Sequence, residues 1–264
     1  MKRLSASFES SARGRRSILP YITAGFPNAA TTIAILDALD PALCPCVELG
    51  IPFSDPIADG PVIQASFSRA LACGFRLSPF LEALGAAQSR IRVPLVAMVS
   101  YSIGYRRGID SFARELRAAG IEGLLMPDLS LEEIGDTAAR CATADVALVA
   151  MVAPTTSAER RRRLADISRP FVYYQSTVGV TGERAALPPE LREDVAALRA
   201  TCGKPVCVGF GISRSEHVAA VCEFADGAIV GSAIVRRVLA AADAGRGPAE
   251  IARDIATFVA ELAA

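Results

Sequence analysis

Short apolar runs alternate with longer amphipathic stretches along the whole chain. The apolar runs fall at Ser17–Thr23, Cys46–Leu49, Leu95–Val99, Gly123–Met126, Ala147–Val152, Phe171–Gln175, Pro205–Gly209 and Gly227–Gly231. Each has strand length, and Ala147–Val152 is apolar throughout, as a strand covered on both faces requires. Helical spacing comes after each run: Asn28–Asp40, with Asn28 as a plausible N-cap, then Val62–Cys73, Ser78–Arg90 and Ile109–Ala119, closed by Gly120. It continues through Leu131–Ala142, Ser157–Asp166, Pro188–Ala200, Ser213–Glu223, Ala233–Ala242 and Pro248–Leu262. The stretch Ser176–Leu187 between the sixth run and its helix is a polar, glycine-containing loop. Nothing in Met1–Arg16 predicts an element; it is polar and basic.

Strands that alternate with helices make parallel crossover units. A doubly wound open sheet would use fewer strands and would carry G-x-G-x-x-G after the first; Thr23-Ala24-Gly25-Phe26-Pro27 is not that turn. The pattern therefore predicts an α/β chain forming one (β/α)8 TIM barrel over residues 1–264, with extra helices after strand 2 and at the C-terminus. No linker or change of composition divides it.

Composition narrows the function classes. The 28 basic and 28 acidic residues cancel, so no charged surface for nucleic acid or membrane is expected. The most basic run, Arg160–Arg163, has no flanking aromatics and reads as a solvated helix face. Seven scattered cysteines and one histidine offer no zinc-like spacing, so no metal is expected. Most of these cysteines read as small buried apolar residues of a reducing compartment. With no leader-like apolar core and no run of membrane-spanning length, the expected location is cytoplasmic.

The chemistry concentrates in Val47-Glu48-Leu49-Gly50-Ile51-Pro52-Phe53-Ser54-Asp55-Pro56-Ile57-Ala58-Asp59-Gly60-Pro61. Glu48 ends an apolar strand. Prolines then hold the chain from Ile51 to Gly60 in a loop, until Pro61 opens a helix. Poor solvation at a strand end raises a carboxyl toward the proton-transfer range. The plainer alternative is a satisfied strand-end Glu48, with Asp55 and Asp59 as turn formers. In a barrel the site is built from loops at the strands' carboxyl ends, which places Tyr173, Gly182, Gly211 and Gly231-Ser232 at the same end as Glu48. Glycines and a helix N-terminus after strands 7 and 8 suit a phosphate, although Gly231-Ser232 alone could be an ordinary cap.

The string E-L-G-I-P-F-S-D-P-I-A-D-G-P resembles the tryptophan synthase α subunit family. So do L-P-Y-I-T-A-G-F-P at Leu19–Pro27, P-D-L-S-L-E-E at Pro127–Glu133, Y-Y-Q-S-T-V-G-V-T-G at Tyr173–Gly182, V-G-F-G-I at Val208–Ile212 and G-A-I-V-G-S-A-I-V at Gly227–Val235. The resemblance implies a barrel lyase that cleaves indole-3-glycerol phosphate to indole and glyceraldehyde 3-phosphate. It assigns catalysis to Glu48 and Asp59. It assigns substrate contacts to Tyr21, Tyr173, Thr181, Gly182, Phe210, Gly211, Gly231 and Ser232, with Thr181 orienting Asp59 when the strand-6 loop closes. It implies no cofactor in this chain, and a β subunit carrying pyridoxal phosphate as partner in an α2β2 assembly. Phe53, Asp55 and Pro56 would face that subunit, and Asp128 would brace the acidic loop.

Two loops depart from the family pattern. Ser100-Tyr101-Ser102-Ile103 replaces an aromatic pair followed by Asn and Pro or Leu, and Ser130 stands where a second proline is usual. Both bear on coupling to a β subunit and neither touches Glu48 or Asp59. A stand-alone lyase releasing free indole is the alternative in the same class. A non-catalytic allosteric partner of a β subunit is the alternative in another.

Overall fold

The eight apolar runs pair in parallel and in chain order, and the last pairs with the first to close a barrel. This is a computed structural model of the chain, and it describes residues 2–11, 16–56, 59–176, 189–209 and 211–264. The strands are β1 Ile18–Thr23, β2 Val47–Gly50, β3 Leu95–Met98, β4 Gly123–Leu125, β5 Ala147–Val152, β6 Val172–Gln175, β7 Val206–Gly209 and β8 Gly227–Val230. The helices are α1 Lys2–Ser11, α2 Ala29–Ala38, α3 Pro61–Ala72, α4 Leu77–Ala87, α5 Tyr101–Arg107, α6 Ile109–Ala118, α7 Ile134–Thr143, α8 Ala158–Ile167, α9 Leu191–Cys202, α10 Ser215–Cys222, α11 Ser232–Asp243 and α12 Pro248–Ala263. The additional helices after β2 and β8 are those the pattern predicts.

The strands carry two cores because successive side chains point to opposite faces. Outward residues such as Ile22, Leu49, Ala97, Val172 and Val208 pack under the helices. Inward residues such as Leu19, Cys46, Val96, Leu125, Phe171, Cys207 and Ile229 fill the barrel. Register then decides which polar groups enter the interior. Tyr21 pairs with Glu48, and Tyr173 pairs with Cys207. Glu48 lies two residues beyond Cys46, so it points inward too. Cys44, Cys46, Cys141 and Cys207 are buried as free thiols, while Cys73 is exposed.

Two helices lie where the sequence predicts none. In α1, Leu4 and Phe8 stand one turn apart and are buried among the inward residues, with the Phe8 ring stacked 4.8 Å from that of Phe171. The helix covers the amino-terminal end of the barrel. Its single apolar stripe is two residues wide, too sparse to stand out from its polar neighbours. Glu122, buried just before β4, holds it there by accepting the Leu4 N–H at 3.2 Å and the Arg3 Nε–H at 2.8 Å. Ser7 adds a hydrogen bond to the Pro45 carbonyl at 2.7 Å.

The second unpredicted helix, α5, comes after β3. Its first N–H, from Tyr101, donates to Asp128 at 2.8 Å, from a loop 27 residues away. A helix capped from another loop leaves no local start signal. Helix α7 starts at Ile134, three residues later than predicted, and Arg161 of the basic run is partly buried rather than solvated. Its guanidinium donates to the Pro154 and Thr156 carbonyls and to Asp194.

Because Phe8 fills the barrel end, Phe8→Ala should lower the free energy of unfolding by about 3 kcal/mol. Urea unfolding monitored by circular dichroism measures this. A loss under about 1 kcal/mol would mean that α1 is peripheral to the core.

Candidate active site

Glu48 is completely buried, and among the described residues neither carboxylate oxygen has a hydrogen-bond partner. Both facts reflect its place: an inward position on a four-residue strand, inside a ring of apolar side chains. A charge there has lost water without gaining a donor, so burial pushes the carboxyl from the usual 4.5 up to about 8. Asp59 lies on the far side of the proline-stiffened loop, partly buried, and burial pushes it from 3.8 up to about 6. Its backbone is held locally: its N–H reaches the Pro56 carbonyl at 3.3 Å, and its carbonyl accepts Gln64 Nε2 at 2.8 Å from the first turn of α3.

Two tyrosines complete this group. The Tyr21 and Tyr173 hydroxyls are pushed far above their ordinary value, first by burial and then by the charges of both carboxylates. Each ring leans toward the carboxyl end of the barrel across a glycine on the next strand. A β-carbon on Gly50 would overlap the Tyr21 hydroxyl, and one on Gly209 would overlap the Tyr173 hydroxyl. The glycines are therefore what lets the two rings lie where they do. On its other side, a β-carbon on Gly231 would lie at ordinary contact distance from Tyr21.

Gly231 caps α11 without any side-chain bond, so no capping side chain takes up the N–H groups of the first turn. Gly211, after the neighbouring strand β7, has φ of +83°, a conformation that favours glycine. The glycine loops after β7 and β8 thus lie side by side, with Ser232 opening the helix. This suits an anion, and Tyr21 joins it to the carboxylate group. Thr181, Gly182 and Phe210, which the sequence also singles out, lie outside the described residues.

A pocket opens above these groups. Tyr21 and Asp59 line it with Ile51, Phe67, Met98 and Pro127, an apolar set that suits a flat aromatic ring. Phe53, Asp55 and Pro56 stand at its rim, where Asp55 is exposed and accepts the Ser54 hydroxyl at 2.6 Å. Sequence reasoning did not single out Met98 or Phe67. The alternation of β3 could have found Met98, which faces inward at the strand's end. Phe67 had no such signal, because it reaches the pocket from α3.

The sequence suggested that Asp128 braces the acidic loop; among the described residues it makes no hydrogen bond to that loop. Its carboxylate accepts the Ser100 hydroxyl and the Tyr101 N–H, both at 2.8 Å, while it borders the same pocket. The two unusual loops are in fact one network. Glu133 accepts the Tyr101 hydroxyl at 2.9 Å and the Ser130 hydroxyl at 3.2 Å. Among the described residues, no group of three or more His, Cys, Asp or Glu could hold a metal ion, and no helix is long and apolar enough to cross a membrane.

Burial of Glu48 sets a test of stability. Between pH 4.5 and about 8 the folded chain keeps a proton that the unfolded chain releases, so stability falls as pH rises through that window. Glu48→Gln removes this dependence. Its melting temperature should exceed the parent's at about pH 8, by an amount reflecting on the order of a few kcal/mol, and differ little at about pH 4.5. A constant difference at both values would show that Glu48 is solvated.

The arrangement can move a proton to and from a flat apolar ligand that carries an anionic tail. The chain is similar to known proteins. A profile of the family described as "Tryptophan synthase alpha chain" matches residues 8–263. A tryptophan synthase alpha chain of Rhodopirellula baltica is 44% identical over 242 residues, covering 90% of this chain and 87% of the relative. One from Geobacter sulfurreducens is 40% identical over 266 residues, covering 99% and 98%. Among solved structures, a chain from the tryptophan synthase a2b2 complex of Pyrococcus furiosus superposes with a TM-score of 0.84 at 35% identity, covering 94% of this chain and 98% of that one.

Proposed function

The chain belongs to the tryptophan synthase alpha chain family, and from that premise we propose that Glu48 and Asp59 divide the proton chemistry of the family's reaction between them. That reaction is the retro-aldol cleavage of indole-3-glycerol phosphate to indole and glyceraldehyde 3-phosphate, a carbon–carbon lyase step of tryptophan biosynthesis. The observation that carries the assignment is the buried carboxyl of Glu48, without a hydrogen-bond partner among the described residues and held protonated near neutral pH, while Asp59 is already ionised. Two carboxyls pushed to different values take different roles.

Glu48 delivers its proton to the ring carbon that bears the glycerol chain. The ring becomes cationic, and Asp59 accepts the hydrogen bond of the indole N–H and offsets that charge. The carbon–carbon bond then breaks and its electron pair returns to the ring, which leaves as neutral indole. The hydroxyl on the carbon being cut gives its proton to the Glu48 carboxylate and becomes the aldehyde carbonyl. Glu48 ends protonated, as it began. We assign the phosphate to the N–H groups around Gly211 and Gly231-Ser232, with Gly182 alongside. The Tyr21, Tyr173 and Phe210 rings wall the indole, and Thr181 orients Asp59.

The chain works with a β subunit that takes up the indole. The Pyrococcus furiosus relative comes from an a2b2 complex, and an assembly of the same kind is our reading here, with Phe53, Asp55 and Pro56 facing the β subunit. On this reading pyridoxal phosphate belongs to that partner, this chain needs no cofactor of its own, and the setting is the cytoplasm.

Indole release by the purified chain, measured with and without a β subunit, tests the reading. Activity should rise with the β subunit, and Glu48→Gln should lower kcat roughly a thousandfold. High activity indifferent to a β subunit would identify a stand-alone lyase. No activity in either condition would leave a non-catalytic partner.

The pH profile is a separate test. Asp59 must be ionised and Glu48 protonated in the free enzyme, so kcat/KM should be bell-shaped, with limbs near 6 and 8. Asp59→Asn should abolish the acidic limb. A profile that stays flat across both limbs would remove the division of roles.

A further inference from the structure

The pocket wall contains a polar atom that neither the core nor the proposed roles use. A wall for an indole ring needs only the Tyr21 ring; a phenylalanine would serve. Yet the fold makes room for the Tyr21 hydroxyl, since Gly50, on the strand that carries Glu48, leaves the space it occupies. Tyr21 and Glu48 are paired across β1 and β2, so both face the interior at the same level. The ring borders the pocket together with Asp59. Among the described residues the hydroxyl has no hydrogen-bond partner, whereas the other fully inward tyrosine, Tyr173, does have an interaction.

Resting on the lyase reading, we propose that the Tyr21 hydroxyl is a third polar group of the reacting centre: a donor that hydrogen-bonds the glycerol oxygen of the substrate as that oxygen turns from hydroxyl to carbonyl. The oxygen in question must lie within reach of Glu48, which takes its proton, and the Tyr21 hydroxyl lies over Gly50, two residues past Glu48 on the same strand and within electrostatic reach of it. When substrate expels water from an apolar pocket, an unpaired hydroxyl loses its hydrogen bonds; a ligand oxygen that accepts from it removes that loss. A donor aimed at an oxygen that gains negative charge in the transition state acts on the rate more than on binding. Burial and the two nearby carboxylates keep the hydroxyl protonated, so it donates without being a proton source. No proton leaves Tyr21 at any stage: the glycerol proton passes to Glu48, and the phenol O–H bond stays intact.

The experiment compares the purified chain with Tyr21→Phe, which keeps the ring, in steady-state cleavage of indole-3-glycerol phosphate, together with the thermal midpoint of each. The variant should lose on the order of a hundredfold in kcat with KM little changed, and its midpoint should match the parent's, because the hydroxyl holds nothing in the protein. An active parent beside a variant within about twofold in kcat overturns the inference and leaves the lyase reading standing; the ring would then be wall only. A raised KM at unchanged kcat also overturns it, since the hydroxyl would contact substrate equally before and during reaction. A large drop in midpoint overturns it in favour of a structural hydroxyl. A parent that releases no indole removes the lyase reading, and the inference with it.

Discussion

The desolvation of one carboxyl orders the rest of this structure. Closing eight short parallel strands into a ring makes an interior that water does not reach, and the register of β1 with β2 puts Glu48 inside it. In that place the carboxyl keeps its proton to about pH 8. Burial of an unpaired carboxyl is costly in any fold, and here the cost is carried by a core on both sides of every strand. The helical layer outside and the packed barrel end below hold the strands closed. Helix α1, with Leu4 and Phe8 among the inward residues, belongs to that support.

The remainder of the site is arranged around that dry carboxyl by backbone rather than by side-chain bonds. Gly50 and Gly209 clear the space over which Tyr21 and Tyr173 lean. Prolines stiffen the loop that brings Asp59 to within electrostatic reach of the same tyrosines. Gly211 has a left-handed conformation, and Gly231 starts a helix without a side-chain cap. Few of these contacts are strong individually. Their effect comes from placing two carboxyls in surroundings of unequal polarity, so that one is an acid and the other a charge at the same pH.

The loops after β3 and β4 show a different solution to the same need for fixed positions. Ser100, Tyr101 and Ser130, from the two stretches that the sequence reading set apart from the family pattern, enter one network through Asp128 and Glu133. The two departures are thus physically one. Hydrogen bonds between these loops hold them together at the mouth.

Much of this was legible in the chain itself. Eight strands and most helices were readable because apolar runs and helical spacing are local properties, and their count forced a parallel barrel. A carboxyl among apolar neighbours and a proline-rich acidic loop are visible in the order of residues. Those features alone left a satisfied strand end and turn formers open, and it was the resemblance to the family that assigned catalysis to Glu48 and Asp59. What sequence order could not contain was anything set by a neighbour far along the chain. Helix α5 exists because Asp128 caps it from another loop, and α1 because the barrel end accepts two of its side chains. Phe67 reaches the pocket only because α3 packs beside β1. The burial of Glu48, on which its proton affinity rests, and its lack of a hydrogen-bond partner among the described residues are likewise properties of the closed ring. Whether a donor comes within reach depends on every strand, and only the tertiary structure decides it.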